Sequence, residues 1–170
     1  MKPGTEPTTY DAWEASVSDV VKADALWSVT AYRLALFVGE LGWYDATKVT
    51  RERALWGVAD QLYRALGSIS ANIAEGYSRS TGKDRARFYE YALGSTRESR
   101  DWYYKARHTL GTNVHAHRIE LLTRITQLLI RMIPQQRRGG SALCEPVEDY
   151  SPLQHARWAT GPIPFGDPDS

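Results

Sequence analysis

Residues 61–82 read QLYRALGSISANIAEGYSRSTG, and residues 88–109 read FYEYALGSTRESRDWYYKARHT. In the first stretch, apolar residues recur at spacings of three and four, which places them on one helix face: Leu62, Leu66, Ile69 and Ile73. In the second stretch, spacings of four and three alternate through Phe88, Ala92, Ser95, Ser99, Trp102, Ala106 and Thr109. This alternation is a heptad seam. Because its inner residues are small, a neighbouring helix can approach closely, and both stretches predict packed helices.

Helix boundaries follow from the residues that flank these stretches. No proline occurs between Pro7 and Pro134, which favours helices throughout that range. Thr81 with Asp84 resembles a capping box, and Gly111 and Pro134 are typical of helix ends. We predict a short helix over 10–21 and long helices over 25–43 (capped by Asp24), 52–77, 82–110 and 114–133. Short connections favour antiparallel neighbours. The predicted fold class is all-α: an up-down antiparallel four-helix bundle with a short N-terminal helix and a mostly irregular C-terminal tail.

Charge divides the chain into three parts. The net charge is −2 over residues 1–23, +7 over 24–138 and −4 over 139–170, which together give the +1 of the whole chain. We predict an N-terminal extension over 1–23, the bundle over 24–134 and an acidic, Pro/Gly-rich, largely disordered tail over 135–170. The tail residues that could dock on the bundle are Trp158, Ile163 and Phe165. The basic centre suggests an anionic partner.

The chain lacks the residue patterns of most catalytic and metal-binding sites. Its single cysteine, Cys144, excludes an intramolecular disulfide and a multi-cysteine zinc site. His115 and His117 point roughly 200° apart on a helix, so they cannot share a metal there. No Gly-rich phosphate loop occurs. We therefore expect no enzyme activity, catalytic residue, metal or cofactor. Because no run approaches the ~20 apolar residues of a spanning helix and the N-terminus lacks an apolar signal segment, we also expect a cytoplasmic protein without membrane contact.

A polar stripe lies beside the apolar face of the second long helix. Its members are Arg64, Ser68, Asn72 and Glu75, and Glu98 stands on the third helix. One interpretation is an interhelical hydrogen-bond and ion-pair network that fixes the register of the bundle. The other is a carboxylate pair for acid–base chemistry. We favour the network, because no nucleophile or second acid lies at a fixed helical offset from either carboxylate.

Basic residues cluster from the end of the second long helix along the third. They are Arg79, Lys83, Arg85, Arg87, Arg97, Arg100, Lys105 and Arg107, and Tyr77, Tyr89, Trp102, Tyr103 and Tyr104 are interleaved with them. Basic side chains with aromatic rings between them can bind a phosphate backbone and stack on bases. However, Asp84, Glu90, Glu98 and Asp101 lie on the same helix, and pairs such as Arg97–Asp101 would neutralise part of the charge. A solvated helix face therefore stays open as the alternative.

The sequence NIAEG at 72–76, preceded by SIS at 68–70 and followed by Arg79, resembles the most recognisable motif of the 23S rRNA-intervening sequence proteins. A second motif is Ala92-x-Gly94-Ser95-x-x-Glu98. The resemblance covers about residues 24–134, and the N-terminal extension and acidic tail depart from the shorter family members. On physical grounds, Gly76 can end a helix, and Gly94 and Ser95 allow close helix crossing.

The resemblance carries functional expectations. It implies a four-helix bundle that assembles into a homo-oligomer, typically a pentamer. A related branch, the accessory proteins of diversity-generating retroelements, binds nucleic acid and a reverse transcriptase. We therefore expect a non-enzymatic homo-oligomer that binds RNA or DNA through a basic surface, with a reverse transcriptase as a further partner if the gene lies in a retroelement. The alternative is a structural or protein–protein interaction module without nucleic-acid binding.

Overall fold

The computed structural model describes residues 7–138 and 161–166, and the secondary structure within these ranges is helical. Two short helices come first, and 3₁₀ turns at Ala25–Ser28 and Arg53–Leu55 precede the first two long helices. The helices are α1 (Tyr10–Ser16), α2 (Asp19–Lys22), α3 (Thr30–Val49), α4 (Trp56–Tyr77), α5 (Gly82–Leu110) and α6 (Thr112–Arg137). In the described part of the chain, no helix has the length and apolar character that a membrane crossing requires.

Helices α3 to α6 form the bundle. Helix α3 packs on α4, α4 on α5, and α5 on α6, and α6 closes the bundle against α3. Helix α5 runs back along α4, because Gly76 of α4 lies against Tyr89 whereas Ser68 lies against Ser95. The fully buried large side chains of this core include Leu34, Phe37, Leu41, Leu62, Leu66, Ile69, Ile73, Leu121 and Leu122. The predicted all-α bundle is confirmed.

The N-terminal helix is part of the same core. The Thr9 hydroxyl accepts a hydrogen bond from the Ala12 N–H at 3.1 Å, which caps α1. Trp13 is buried, and its ring lies 5.0 Å from that of Phe37 on α3. The ring of Tyr10 meets Phe37 edge-on at 5.1 Å. Aromatic contacts therefore attach the segment predicted as an extension to the face of α3.

The observed helices differ from the predicted ones mainly at their ends. Helix α5 begins and ends where the sequence predicted, with Thr81 as its N-cap and Gly111 after its last residue. Helix α3 continues through Gly42 to Val49, six residues beyond the predicted end. Gly42 is buried, and a Cβ there would lie 2.3 Å from Leu66 Cδ1 of α4. This glycine therefore allows close helix packing and does not end the helix.

Helix α6 continues past Pro134, where the sequence predicted its end. The proline ring removes one backbone donor from the helix. Contacts with α5 nevertheless hold the last turn: the Arg85 Nε–H donates to Gln136 Oε1 at 2.7 Å, and Arg137 forms a salt bridge with Glu90. Tertiary contacts therefore outweigh the local effect of the proline.

The buried seam of α5 is offset from the predicted one. Ala92, Ser99 and Ala106 lie on it as expected. The large residues that complete it are Tyr89 and Tyr103, together with Thr96 and Leu110, whereas Phe88 and Trp102 lie half-buried beside it. Spacings of three and four fit the predicted seam through Phe88 and Trp102 and also the observed seam through Tyr89 and Tyr103, because each pair of aromatic residues is adjacent in sequence. The period was therefore predicted correctly, and the choice between neighbouring aromatic residues was wrong.

Part of the predicted irregular tail is packed. Residues 161–166 have no regular secondary structure, but Ile163 is 7% exposed and belongs to the core. Phe165 packs against the same core. The acidic stretch over 139–160, with Cys144 and Trp158, lies outside the described residues.

Candidate nucleic-acid interface

Seven of the eight predicted basic residues reach the surface of α4 and α5. Exposed side chains are those of Arg79, Lys83, Arg87, Arg97 and Lys105, and half-buried ones are those of Arg100 and Arg107. Arg79 follows the end of α4, and the other six lie on α5 between positions 83 and 107. At about 100° per residue, these six side chains spread over roughly half of the circumference of α5. We call these seven residues the basic face.

Arg85 does not belong to the basic face. It is 8% exposed, and its Nε–H donates to Gln136 Oε1 at 2.7 Å. Its Nη1 donates to the carbonyl oxygen of Arg79 at 2.8 Å, beyond the last turn of α4. Arg85 therefore ties the α4–α5 connection to the end of α6. The prediction that it lies on the basic surface is wrong, because the side chain is buried and its Nε and Nη1 donate within the protein.

Acidic neighbours neutralise part of the basic face. Arg79 pairs with Glu75, Arg87 with Asp84 at 3.9 Å, and Lys105 with Asp101 at 2.5 Å. The predicted Arg97–Asp101 pair does not form, because Lys105 occupies the Asp101 carboxylate. Within the described part of the chain, the residues of the face without a salt bridge are Lys83, Arg97, Arg100 and Arg107. These four carry the uncompensated charge.

Aromatic rings lie under several of the cations. The Lys105 Nζ is 3.8 Å from the ring centroid of Trp102, and the Arg107 guanidinium is 4.0 Å from that of Tyr104. The Arg79 guanidinium lies 4.7 Å from the ring of Phe88. Cation–π contacts of this kind orient a charged group without consuming its charge. Tyr104 is itself 56% exposed, so its ring remains accessible beside Arg107.

The polar stripe forms a smaller network than predicted. The Ser68 and Ser95 hydroxyls lie 3.0 Å apart across α4 and α5, and the Asn72 side-chain amide donates to the Ser68 hydroxyl at 3.0 Å. Arg64, however, is exposed and pairs with Asp60 of its own helix. Glu98 is exposed as well and accepts a hydrogen bond from the Trp102 indole at 3.1 Å, and Glu75 pairs with Arg79. The predicted ion-pair part of the network is therefore wrong.

The two motif glycines have different environments. Gly76 lies inside α4 with helical backbone, so it does not serve as a left-handed helix end. A Cβ at Gly76 would lie 2.8 Å from Tyr89 Cε1 and 3.0 Å from Phe88 Cβ, which shows that α5 needs this space. Gly94 is exposed, and a Cβ there would meet nothing within 4 Å. The prediction of a close crossing at Gly94 is therefore wrong for the single chain.

A buried ion pair between α3 and α6 is a feature that the sequence analysis missed. Arg118 of α6 is 0% exposed and Asp45 of α3 is 2% exposed. The Arg118 Nε–H donates to Asp45 Oδ2 at 2.7 Å and Nη2 donates to Oδ1 at 3.2 Å, a bidentate pair. The Tyr103 hydroxyl also donates to Asp45 Oδ2, at 2.8 Å. The signal was present: Asp45 and Arg118 each lie four residues from an apolar core position, Leu41 and Val114.

Burial and the neighbouring Asp45 carboxylate together set the protonation of Tyr103 and Arg118. Burial raises the pKa of Tyr103 well above its usual value, and the adjacent Asp45 carboxylate raises it further. Burial lowers the pKa of Arg118, but the charge of Asp45 and its hydrogen bonds more than offset this effect. Tyr103 therefore stays neutral and Arg118 stays charged across the neutral range, which indicates a structural role.

Comparison with known families complements this geometry. The sequence model described as 23S rRNA-intervening sequence protein matches residues 35–133, more than half of the chain. The matched range begins in α3 and ends in α6, and it contains both motifs on which the resemblance rested. Comparisons with curated proteins and with solved structures give no match.

Proposed function

The chain belongs to the 23S rRNA-intervening sequence protein family, and we propose that it is a non-enzymatic homo-oligomer that binds nucleic acid through the basic face. The observation that carries the proposal is the row of four unpaired cations on α5, Lys83, Arg97, Arg100 and Arg107, in a bundle segment of net charge +7. Contacts between such Lys or Arg side chains and the phosphates of a nucleic acid supply most of the affinity of sequence-independent binding.

The aromatic neighbours of the basic face support this function over a merely solvated helix. Tyr91 and Tyr104 of α5 are 52% and 56% exposed, although each ring would gain free energy by burial. Exposed rings beside cations suit stacking on unpaired bases, which adds about 1–3 kcal/mol per base. We therefore expect single-stranded RNA or DNA to bind at least as well as duplex, with weak dependence on sequence.

Assembly would strengthen such binding. Large apolar side chains that remain exposed on the single chain include Trp43, Trp56, Tyr63 and Ile130. Of these, Trp43 and Tyr63 are adjacent, with ring centroids 6.0 Å apart, and adjoining exposed apolar side chains are typical of protein–protein interfaces. If several copies present the basic face together, their contacts to one nucleic-acid strand become intramolecular after the first, and the affinity rises without any new type of contact.

The test is a titration of labelled single-stranded and duplex nucleic acid against a charge-neutralised variant at several salt concentrations. The variant carries Lys83→Gln, Arg97→Gln and Arg100→Gln, which removes three unpaired cations. We expect its affinity to fall at least about tenfold, and the slope of log K against log salt for duplex to become shallower by about 0.9 for each lost phosphate contact.

A second triple variant provides the matched control. Arg51→Gln, Arg53→Gln and Arg64→Gln remove the same charge from exposed positions outside α5. We expect this variant to retain binding within about twofold, since long-range charge effects are screened beyond about 10 Å at 0.1 M salt. Equal losses in both variants would show that net charge and not the basic face is responsible. If the unmodified protein retains no nucleic acid at low salt, the interaction-module alternative is favoured.

A further inference from the structure

The C-terminal segment 161–166 lies on the bundle as an extended peptide lies in a binding groove. Its sequence is GPIPFG. Ile163 inserts into the core and is 7% exposed, whereas the adjacent Pro162 is exposed. The Ile163 N–H donates to the carbonyl oxygen of Thr8 at 2.9 Å, just before α1. One buried anchor side chain and one backbone hydrogen bond therefore fix the middle of the segment.

The buried Arg118 provides the second backbone contact. Its Nη2 donates to the carbonyl oxygen of Pro164 at 3.0 Å, and its guanidinium lies 5.5 Å from the ring centroid of Phe165. The same Phe165 ring meets Tyr44 of α3 edge-on at 5.4 Å. Because Asp45 already holds Arg118 through two hydrogen bonds, the donor that faces the segment is preorganised.

The end of the segment shows a close backbone approach. Gly166 has φ +75°, and a Cβ there would lie 2.7 Å from Lys48 Nζ and 3.2 Å from the carbonyl oxygen of Leu110. A residue with a side chain would meet backbone strain at this φ and a tight contact with the Leu110 carbonyl oxygen, whereas Lys48 Nζ ends a flexible side chain that can move aside. The segment therefore has an apolar anchor, two directed backbone hydrogen bonds, an aromatic contact and a glycine in the left-handed region that favours glycine.

We propose that this groove, formed by Thr8, Tyr44, Arg118 and their neighbours on α1, α3 and α6, is a peptide-binding site for an extended Pro-Ile-Pro-Phe segment, and that the chain supplies this ligand itself from residues 161–166. Prolines on both sides of Ile163 hold the segment extended before it binds, which lowers the entropic cost of docking. The segment does not fill the groove: a cleft of about 510 Å³ remains beside it, lined along α6 by Asn113, His117 and Glu120.

The groove is occupied by the chain's own segment because the two are covalently connected. Residues 139–160 join the end of the described α6 region to the segment, and a tether of this length gives an effective concentration of the order of 1 mM. A free peptide of the same sequence must compete with the chain's own segment at this effective concentration. An isolated site with a dissociation constant near 0.1 mM would therefore bind added peptide roughly tenfold more weakly in the unmodified chain than in a chain whose own segment is released.

The experiment uses the full chain with Ile163→Asp, which places a charge at the anchor, and a fluorescent peptide of residues 159–168, ATGPIPFGDP. We expect the peptide to bind this variant about tenfold more tightly than the unmodified protein. The full chain with Val20→Asp is the matched control, because it introduces the same charge at an α2 side chain that is 83% exposed and lies outside the groove, and we expect it to behave as the unmodified protein. A peptide with the Ile163→Asp change should not bind. Equal binding to all three chains, or no binding to a variant that keeps its helical circular dichroism, would overturn the proposal.

A measurement on the unmodified chain covers the case in which Ile163→Asp does not fold. The Ile163 amide, bonded to Thr8, should exchange with deuterium at least about tenfold more slowly than in the free peptide. Unlabelled peptide at several millimolar should speed this exchange by displacing the segment. Exchange at the free-peptide rate, or exchange that the peptide leaves unchanged, would contradict a site that binds this sequence.

Discussion

At the scale of single residues, the buried pair Arg118–Asp45 holds the bundle together and contacts residues 161–166. Two charges are removed from water in the core, and their mutual hydrogen bonds offset the cost of desolvation only while both are present. Tyr103 and the Pro164 carbonyl use further hydrogen-bonding capacity of the pair. The pair thereby joins α3, α5, α6 and the C-terminal segment at one point.

We predict that Arg118→Met lowers the free energy of unfolding by about 3–5 kcal/mol, because it leaves the Asp45 carboxylate buried without a partner. The double variant Arg118→Met with Asp45→Leu should recover most of this loss, since no isolated charge remains. Urea denaturation followed by circular dichroism measures both values.

Arg64→Gln serves as the comparison for this prediction. Its side chain is 72% exposed, so we expect a change within about 0.5 kcal/mol. If Arg118→Met has the same free energy of unfolding as the unmodified protein, a structural role for the buried pair is contradicted.

At the scale of helices, the close contact between α4 and α5 uses one of the two motif glycines and not the other. Gly76 lies against Tyr89 and Phe88, and Gly94 lies in open solvent. Both are in helical backbone, so replacement by alanine gives each the same gain in helix propensity, up to about 1 kcal/mol. Only the steric environment distinguishes them, which makes the two positions a matched pair.

We predict that Gly76→Ala destabilises the bundle by about 1–2 kcal/mol, because the new methyl group forces α5 away from α4. Gly94→Ala should instead stabilise it by about 0.5–1 kcal/mol. Thermal and urea unfolding of the two variants measure the difference. A loss of stability in Gly94→Ala would reveal a second protein surface packed against this position in solution.

At the scale of the whole molecule, the basic face and the apolar surface lie on different helices. Trp43 of α3 and Tyr63 of α4 have ring centroids 6.0 Å apart and are both more than 40% exposed. They border a cleft between α3 and α4 that also includes Gly39 and Gly67, where an added Cβ would meet nothing within 4 Å. An interface there would leave α5 accessible to nucleic acid.

We predict that light scattering at micromolar concentration gives a mass above the 19.2 kDa of one chain, and about 96 kDa if the assembly has the five subunits that the family resemblance implies. Replacing Trp43 and Tyr63 together with serine should shift the mass towards one chain, because two exposed aromatic side chains leave the expected interface. Tyr91→Ser with Tyr104→Ser, at two exposed positions of α5, should leave the mass unchanged. A 19 kDa monomer for the unmodified protein would contradict the assembly.

Local chemistry in the sequence determined much of the fold. The three- and four-residue spacings predicted the long helices, and Thr81 and Gly111 marked both ends of α5, because caps act within one turn. The family motifs around Asn72–Gly76 and Ala92–Glu98 also lie within single helices, and the family match confirms the resemblance that they carried. Most of the basic face followed from the sequence as well, since charged side chains reach the surface by default.

Only the tertiary structure decided the features that join distant parts of the chain. Whether Phe88 or Tyr89 is buried, whether Arg85 is exposed and whether Pro134 ends α6 depend on the neighbouring helix, because each local pattern allows both outcomes. The pairing of Asp45 with Arg118 spans 73 positions, and the docking of Ile163 brings the C-terminal segment back to Thr8. Such contacts have no local periodicity, since their free energy comes from groups that meet only after the helices have packed.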